Sequence, residues 1–436
     1  MSITSGFVRR AAALIALAAL AVACGGGGGG GGGGGSQNFK GTKKVGISTA
    51  LTGQSALYGK AISSAAQLWQ DQINAKGGVN GYKIEVVVRD DATDNAKAKE
   101  NTEQLILQDK VVAMIGAVLS SQCQAAMPVA NQNKVLYIAA TCNDYRNTTS
   151  PQFRIPYYVS VVPNTYMEAT AAGIDAGQKK DLKKWYILSP DYSFGRAETP
   201  AFVAALKKTN PNVQVVNAPS EWYVPLTTFD FSTVLPKIQA AQPDAIYSNI
   251  FAATQTAFIN KALQTDPGFF SRYQFDTLSS IDDFSALGDK YPQGIRVYQR
   301  APFFAIKSDK INGFVNDFHN KFNFYPSDWA VMDYDALTVW GEAASKAGSF
   351  DTEKVLNQMK GKSFDTLRGK ITIRSEDLQA DVAMWVGTTT SSSGKYPFVV
   401  LKDVKNPTGK ELLLPIDKVR KMQGGQCPNN DLTNCP

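Results

Sequence analysis

A single histidine, His319, in a chain of 436 residues removes most of the routes by which side chains do covalent chemistry. A Ser-His-Asp or Cys-His nucleophile needs a histidine beside it, and zinc sites need clustered His and Cys; His319 falls on a predicted exposed helix with neither. The stretch Gly53 to Lys60 imitates a phosphate-binding loop, but five residues separate Gly53 from Gly59-Lys60 where the motif has four. Ala61 also stands where the magnesium-binding Ser or Thr belongs. Asp90, Asp91 and Asp94 lack the spacing of a calcium loop and read as a solvated turn after a strand. No metal and no cofactor is expected.

Hydroxyl and amide side chains carry more information. Ser120 and Ser121 lie where a predicted strand turns into a helix, and Thr141 with Asn143 lies at the end of the next strand. In open α/β sheets ligands bind beyond the carboxyl ends of the strands, where the first amides of the helices point outward. These four side chains therefore form a donor set suited to a carboxylate. Of the five cysteines, Cys24 follows Ala21-Val22-Ala23 and four remain. In an exported chain an even remainder suggests two disulfides, Cys427 with Cys435 and Cys123 with Cys142, the alternative for the second being two buried thiols.

The elements that must position these groups alternate. Val45–Thr49, Ile84–Val88, Val111–Ile115, Val135–Ala139 and Tyr157–Val162 read as strands, separated by helical patterns over Ala61–Ile73, Ala96–Gln108 and Ser120–Asn131. The alternation restarts with a helix near Met167 and strands Trp185–Leu188, Val213–Val216, Ala245–Ser248 and Ile295–Tyr298. Two helical segments, Ile311–Phe322 and Ala330–Ala347, follow. This is the pattern of parallel sheets covered by helices on both faces, and about four hundred residues exceed one ordinary core, so two domains are expected.

The amino terminus reads as an export device. Arg9 and Arg10 precede an apolar run, Ala11 to Ala23, that is shorter than the roughly 20 residues a membrane-spanning helix needs. The small residues before Cys24 resemble a bacterial lipobox, so residues 1–23 are expected to be a cleaved signal peptide and Cys24 the lipidated first residue; the alternative is secretion without acylation. Gly25 to Gly35 cannot pack a core, and 24–40 is expected to be a tether, the alternative being a tolerated low-complexity tract. The formal charge of +7 falls to +5 once Arg9 and Arg10 are removed, and the basic residues are scattered, which argues against nucleic acid.

Several stretches together resemble the leucine/isoleucine/valine-binding family of ABC-transporter solute-binding proteins. They are Leu51-Thr52-Gly53 with Tyr58-Gly59, Asp71 through Gly81, Arg89-Asp90-Asp91, Ile115-Gly116 with Ser120-Ser121, and Tyr334-Asp335-Ala336. The resemblance implies a type I periplasmic binding fold, two doubly wound α/β domains joined by three hinge crossovers near Val162, Ala301 and Ala380. The first domain is then 41–162 plus 301–380, the second 163–300 plus 381–420, and 421–436 is a Cys-stapled tail.

The resemblance also implies a site. Ser120, Ser121, Thr141 and Asn143 fall where the family holds a carboxylate, Tyr58 where it places an aromatic contact, and the Asp282-Asp283 loop where it places an acid for an ammonium. Tyr166, Tyr192, Phe194, Phe251 and Trp329 are further candidates to line the cleft. The expected function is an extracytoplasmic, lipid-anchored, monomeric binding protein that closes on a small amino acid or related carboxylate or amide and delivers it to ABC permease and ATPase subunits. A sensory module working with a separate membrane receptor is the alternative, and the histidine count discourages an exported hydrolase.

Overall fold

The computed structural model describes residues 38–428 together with 432 and 435. The expected signal peptide, Cys24 and most of the tether lie outside the described residues, and so does much of the far end of the tail.

The first sheet is built from β1 (Thr42–Thr49), β2 (Lys83–Asp90), β3 (Ala113–Gly116), β4 (Leu136–Ala139) and β5 (Tyr158–Ser160). They run parallel in the order β2-β1-β3-β4-β5. β3 and β4 are buried along their whole length, as expected of strands covered on both faces. The second sheet contains β6 (Lys184–Pro190), β7 (Gln214–Val215), β8 (Tyr223–Val224), β9 (Ala245–Ser248), β10 (Gln274–Leu278) and β11 (Arg296–Gln299). Past a two-stranded hairpin of β12 (Ser363–Thr366) and β13 (Gly369–Thr372), β14 (Trp385–Thr390) and β15 (Val400–Lys405) extend that sheet. Its order is β15-β14-β11-β10-β9-β6-β7, with β8 also pairing β6; β14 and β15 join antiparallel. The sequence pattern gave no sign of β10, of the Ala252–Thr265 helix or of this antiparallel edge.

The helices Asp309–Phe322 and Asp328–Ala347 pack on the Ala56–Ala75 helix of the first sheet. Gly341 makes this contact possible, because a Cβ there would sit 2.9 Å from the Trp69 ring. The chain passes between the sheets after β5, after β11 and before β14. The first and last passages are tied together: the Ser160 amide donates to Leu378 O (2.9 Å) and the Ala380 amide to Ser160 O (2.8 Å). Gln379 Nε2 donates to Val162 O (2.8 Å). A buried ion pair, Arg368 with Asp335 at 2.7 Å, holds the hairpin against the long helix, and Arg368 Nη2 reaches Val161 O.

Cys123–Cys142 and Cys427–Cys435 are both disulfide-bonded. Cys427 and Met422 pack with Tyr145 and Ala197, so the tail is seated on the folded body. Among the described residues no helix is long and apolar enough to cross a membrane, and no group of three or more His, Cys, Asp or Glu is placed to hold a metal. His319 is half-buried on its helix, its ring 4.3 Å from that of Tyr325.

Candidate functional site

A cavity with about 30 Å³ of free volume lies between the two sheets. Its wall is made almost entirely by residues just past the carboxyl ends of strands. Val118 follows β3; Thr141 and Asn143 follow β4; Tyr192 and Phe194 follow β6; Phe251 follows β9; Leu278, Ser279, Ser280 and Asp283 end or follow β10; Arg300 follows β11. Tyr58, Asp328 and Trp329 complete it from the first turns of two helices. The free volume accommodates roughly one or two waters.

Close backbone approaches set the wall. A Cβ at Gly59 would lie 1.9 Å from Ala50 O and one at Gly195 2.1 Å from Pro190 O. Only glycine lets these helices start so near their strand ends, and each glycine follows a lining aromatic, Tyr58 and Phe194. Ala252 adopts φ +51, a left-handed conformation that costs an alanine roughly 1–2 kcal/mol. Its amide is thereby aimed at the site, donating to Tyr58 Oη (2.9 Å) and Asp283 Oδ1 (3.1 Å).

Tyr58 ties the two sides together. It comes from the first-sheet side, and its hydroxyl donates to Asp283 of the second at 2.7 Å. Its ring stacks on Trp329 with centroids 4.2 Å apart. Asp283 receives two further donors on Oδ2, the Ser280 amide (2.7 Å) and hydroxyl (2.9 Å), in a capping box that starts the Ile281–Leu287 helix. Burial pushes the Asp283 carboxyl up, with those hydrogen bonds opposing it. Asp328 holds the Ala301 amide (2.8 Å) and the Ile281 amide (3.0 Å), and burial raises it to about 6.

Among the described residues Arg300 is the one cation lining the cavity. Its Nε and Nη2 donate to Glu168, the latter at 3.2 Å, and its guanidinium lies 5.2 Å from the Trp329 ring centroid and 5.8 Å from that of Phe194. Burial works against this charge, but the Glu168 carboxylate outweighs it and holds the guanidinium above its ordinary value. Beyond this pair Glu198 accepts from the Tyr247 hydroxyl and the Asn249 amide, and burial, reinforced by Glu168, raises it to about 8.

Of the residues singled out in the sequence, Tyr58, Thr141, Asn143, Tyr192, Phe194, Phe251 and Trp329 are brought together at this cavity. Ser120, Ser121, Tyr166 and Asp282 are not among its lining residues. Ser120 Oγ accepts the Asp144 amide (3.2 Å) and serves the neighbouring loop. Ser121, one helical step further round, donates to Asn95 Oδ1 (2.9 Å). Tyr166 packs on the cluster of Tyr145 and Met422. Asp282 is turned by one step from Asp283 and lies near Ser327, so of these two neighbours it is Asp283 that stands in the wall. Val118, Leu278, Ser279, Ser280, Arg300 and Asp328 went unmentioned in the sequence. The Ser280-x-x-Asp283 capping pattern was a readable signal, and Arg300 stands one residue before the expected crossover at Ala301.

A cavity at the carboxyl ends of the parallel strands of two sheets, ringed by aromatics, defines a ligand-binding protein of the two-sheet α/β class. The chain belongs to the periplasmic binding protein family, which residues 42–395 match.

Among curated relatives it is similar to the leucine-, isoleucine-, valine-, threonine-, and alanine-binding protein of Pseudomonas aeruginosa. The identity is 24% over 331 residues, covering 76% of this chain and 85% of that protein. It is also similar to Leu/Ile/Val-binding protein homolog 1 of Brucella abortus, 26% identical over 340 residues, with 75% and 85% covered. Among solved structures it resembles a solute-binding protein of an ABC transporter from Rhodopseudomonas palustris in complex with 3,4-dihydroxybenzoic acid. That likeness has a TM-score of 0.73 and 25% identity, covering 84% of this chain and 98% of the other. A leucine-binding protein of Thermotoga maritima shares the fold, with a TM-score of 0.71, 22% identity, and 84% and 99% covered. The family is one of extracytoplasmic solute-binding proteins.

Proposed function

We propose that this protein is the solute-capturing component of an ABC importer and that it works by closing two lobes, 41–162 plus 301–380 and 163–300 plus 381–420, about three crossings near Val162, Ala301 and Ala380. The observation that carries this is the cavity itself. Both sheets contribute their strand ends to it, and the Tyr58–Asp283 hydrogen bond spans it from one side to the other. Gln54 Nε2 with Thr254 Oγ1 (2.9 Å) and Arg146 Nη2 with Ser193 O (3.0 Å) bridge the same two sides. A ligand that touches both sides stabilises the closed arrangement by its differential affinity for it, and no covalent step is required.

The ligand is a small solute with a carboxylate and an apolar body. The relatives named for branched-chain amino acids and the neighbour holding a dihydroxybenzoic acid support that class, and the ring-lined wall accords with it. The lining residues named above are its contacts, the protein acts as a monomer, and Cys24 carries a lipid that anchors it to the outer face of a membrane beside its permease. A thermal-shift screen of the soluble form against amino acids and aromatic acids tests the reading. A ligand at about a hundred times its dissociation constant adds roughly 2.7 kcal/mol of stability and shifts unfolding by several degrees. No shift with any member, and no small molecule released on denaturation, would overturn it.

A further inference from the structure

We infer that the cavity selects an aromatic carboxylate without an α-ammonium group, with Arg300 as the anion's partner and the Trp329 indole N–H as a second donor. This rests on the solute-binding reading above and narrows it to a substrate class.

The argument compares which polar groups of the wall are already committed. An ammonium needs an acceptor, preferably a carboxylate, and the wall contains two, Asp283 and Asp328. Asp283 receives four protein donors, two on each oxygen: Tyr58 Oη and the Ala252 amide on Oδ1, and the Ser280 amide and hydroxyl on Oδ2. A carboxylate has about four acceptor positions, so all are filled. Asp328 holds one amide on each oxygen, and these bonds join the turn after β10 and the crossing after β11 to the long helix. An ammonium at Asp283 breaks bonds that hold the wall together, and one at Asp328 comes beside the Arg300 guanidinium, whose charge already acts on that carboxyl.

The donors are differently placed. Trp329 is 6% exposed, lines the cavity, and its Nε1 is buried with no hydrogen-bond partner among the described residues. A buried indole N–H without an acceptor is costly, and an acceptor on the solute removes that cost. Arg300 is 7% exposed, and its guanidinium shares the Trp329 face. Glu168 takes Nε and one Nη2 hydrogen of Arg300, which leaves the Nη1 hydrogens and the second Nη2 hydrogen to take a carboxylate end-on in two bonds. The Ser193–Thr209, Ala252–Thr265 and Asp328–Ala347 helices begin at or beside the lining residues Phe194, Phe251 and Asp328, and their amino termini favour a negative charge there.

The aromatic body follows from the rings. Tyr58, Tyr192, Phe194, Phe251 and Trp329 surround the space, and Tyr58 and Trp329 stack at 4.2 Å. A planar solute that enters between or beside them exchanges one ring contact for another.

Titration calorimetry with 3-phenylpropanoate, L-phenylalanine, 2-phenylethylamine, 4-hydroxybenzoate and L-leucine tests the inference. The first three share one body and differ only in carrying the carboxylate, both groups or the ammonium. The expected result is binding of 3-phenylpropanoate or 4-hydroxybenzoate, with L-phenylalanine weaker by about tenfold or more and no heat from the amine. Trp329→Phe, which keeps a ring and removes only the N–H, should weaken the acid about tenfold, as should Arg300→Gln made together with Glu168→Gln so that no buried carboxylate is left unpaired. Tighter binding of L-phenylalanine or L-leucine than of either acid would overturn the substrate class and leave the solute-binding reading standing. Unchanged affinity for the acids in both variants would overturn the assigned roles, and no heat from any probe would overturn the class outright.

Discussion

Replacing Glu198 with glutamine should flatten the dependence of stability on pH between about pH 5 and pH 8. Glu198 is 1% exposed, on the Ser193–Thr209 helix, facing Tyr247 and Asn249 from β9 and the turn after it, with Glu168 and Arg300 as its charged neighbours. Burial raises its carboxyl from an ordinary 4.5 to about 8. The native state therefore keeps the proton while the unfolded chain gives it up. The stability this supplies is complete below the ordinary carboxylate range and is lost as pH climbs to about 8.

Each unit of that gap corresponds to about 1.4 kcal/mol, so the loss across the window is on the order of 4 kcal/mol. Glutamine keeps the shape and removes the titration. Its amide meets the Asn249 donor less well, a pH-independent offset of about 1–2 kcal/mol. Urea unfolding of both proteins at pH 5, 6, 7 and 8 isolates the effect, because the offset cancels in the slope. The wild type should lose more stability than the variant from pH 5 to 8. Parallel curves would refute the reasoning.

Breaking the Arg368–Asp335 pair with Arg368→Met leaves a buried carboxylate without its cation, the Leu367 amide still donating to it, and should cost about 3–5 kcal/mol, much of it recovered when Asp335→Asn is added; denaturant midpoints decide. Removing the Cys123–Cys142 bridge, which spans 19 positions, should lower stability by about 3 kcal/mol, and equal midpoints for wild type and the double alanine variant would exclude a stabilising role. Ser120→Ala with Ser121→Ala should leave ligand affinity within about twofold, since neither hydroxyl lines the cavity, whereas Tyr58→Phe removes a donor to a buried carboxyl and should weaken closure by about tenfold in calorimetry.

Most of the parallel framework could be read from periodicity, because strands such as β3, β4 and β9 are short apolar runs buried on both faces and bounded by helical patterns. β10 escaped because its sequence, Gln-Phe-Asp-Thr-Leu, places a fully buried Asp276 mid-strand; Lys179 and Tyr298 pair with that acid, and neither is near it in sequence. The antiparallel β14 and β15 escaped because the Thr- and Lys-rich stretches look like loop until a neighbouring strand supplies their partner.

The cavity wall was legible where strand ends carry aromatics, as at Tyr192, Phe194 and Phe251. At Asp282 a rotation of about 100° per residue separates it from Asp283, which stands in the cavity wall, while Ser120 and Ser121 bond to Asp144 and Asn95 instead. Arg300 and Asp328 were silent because their meaning depends on Glu168 and on two backbone amides brought from elsewhere.

Small-angle scattering of the soluble form, with and without saturating ligand, tests the central claim most directly. If the three crossings let the two sides close on a solute, the radius of gyration must fall on binding and the particle must become more compact. A ligand that binds, by calorimetry, and leaves the scattering curve unchanged would contradict capture by closure.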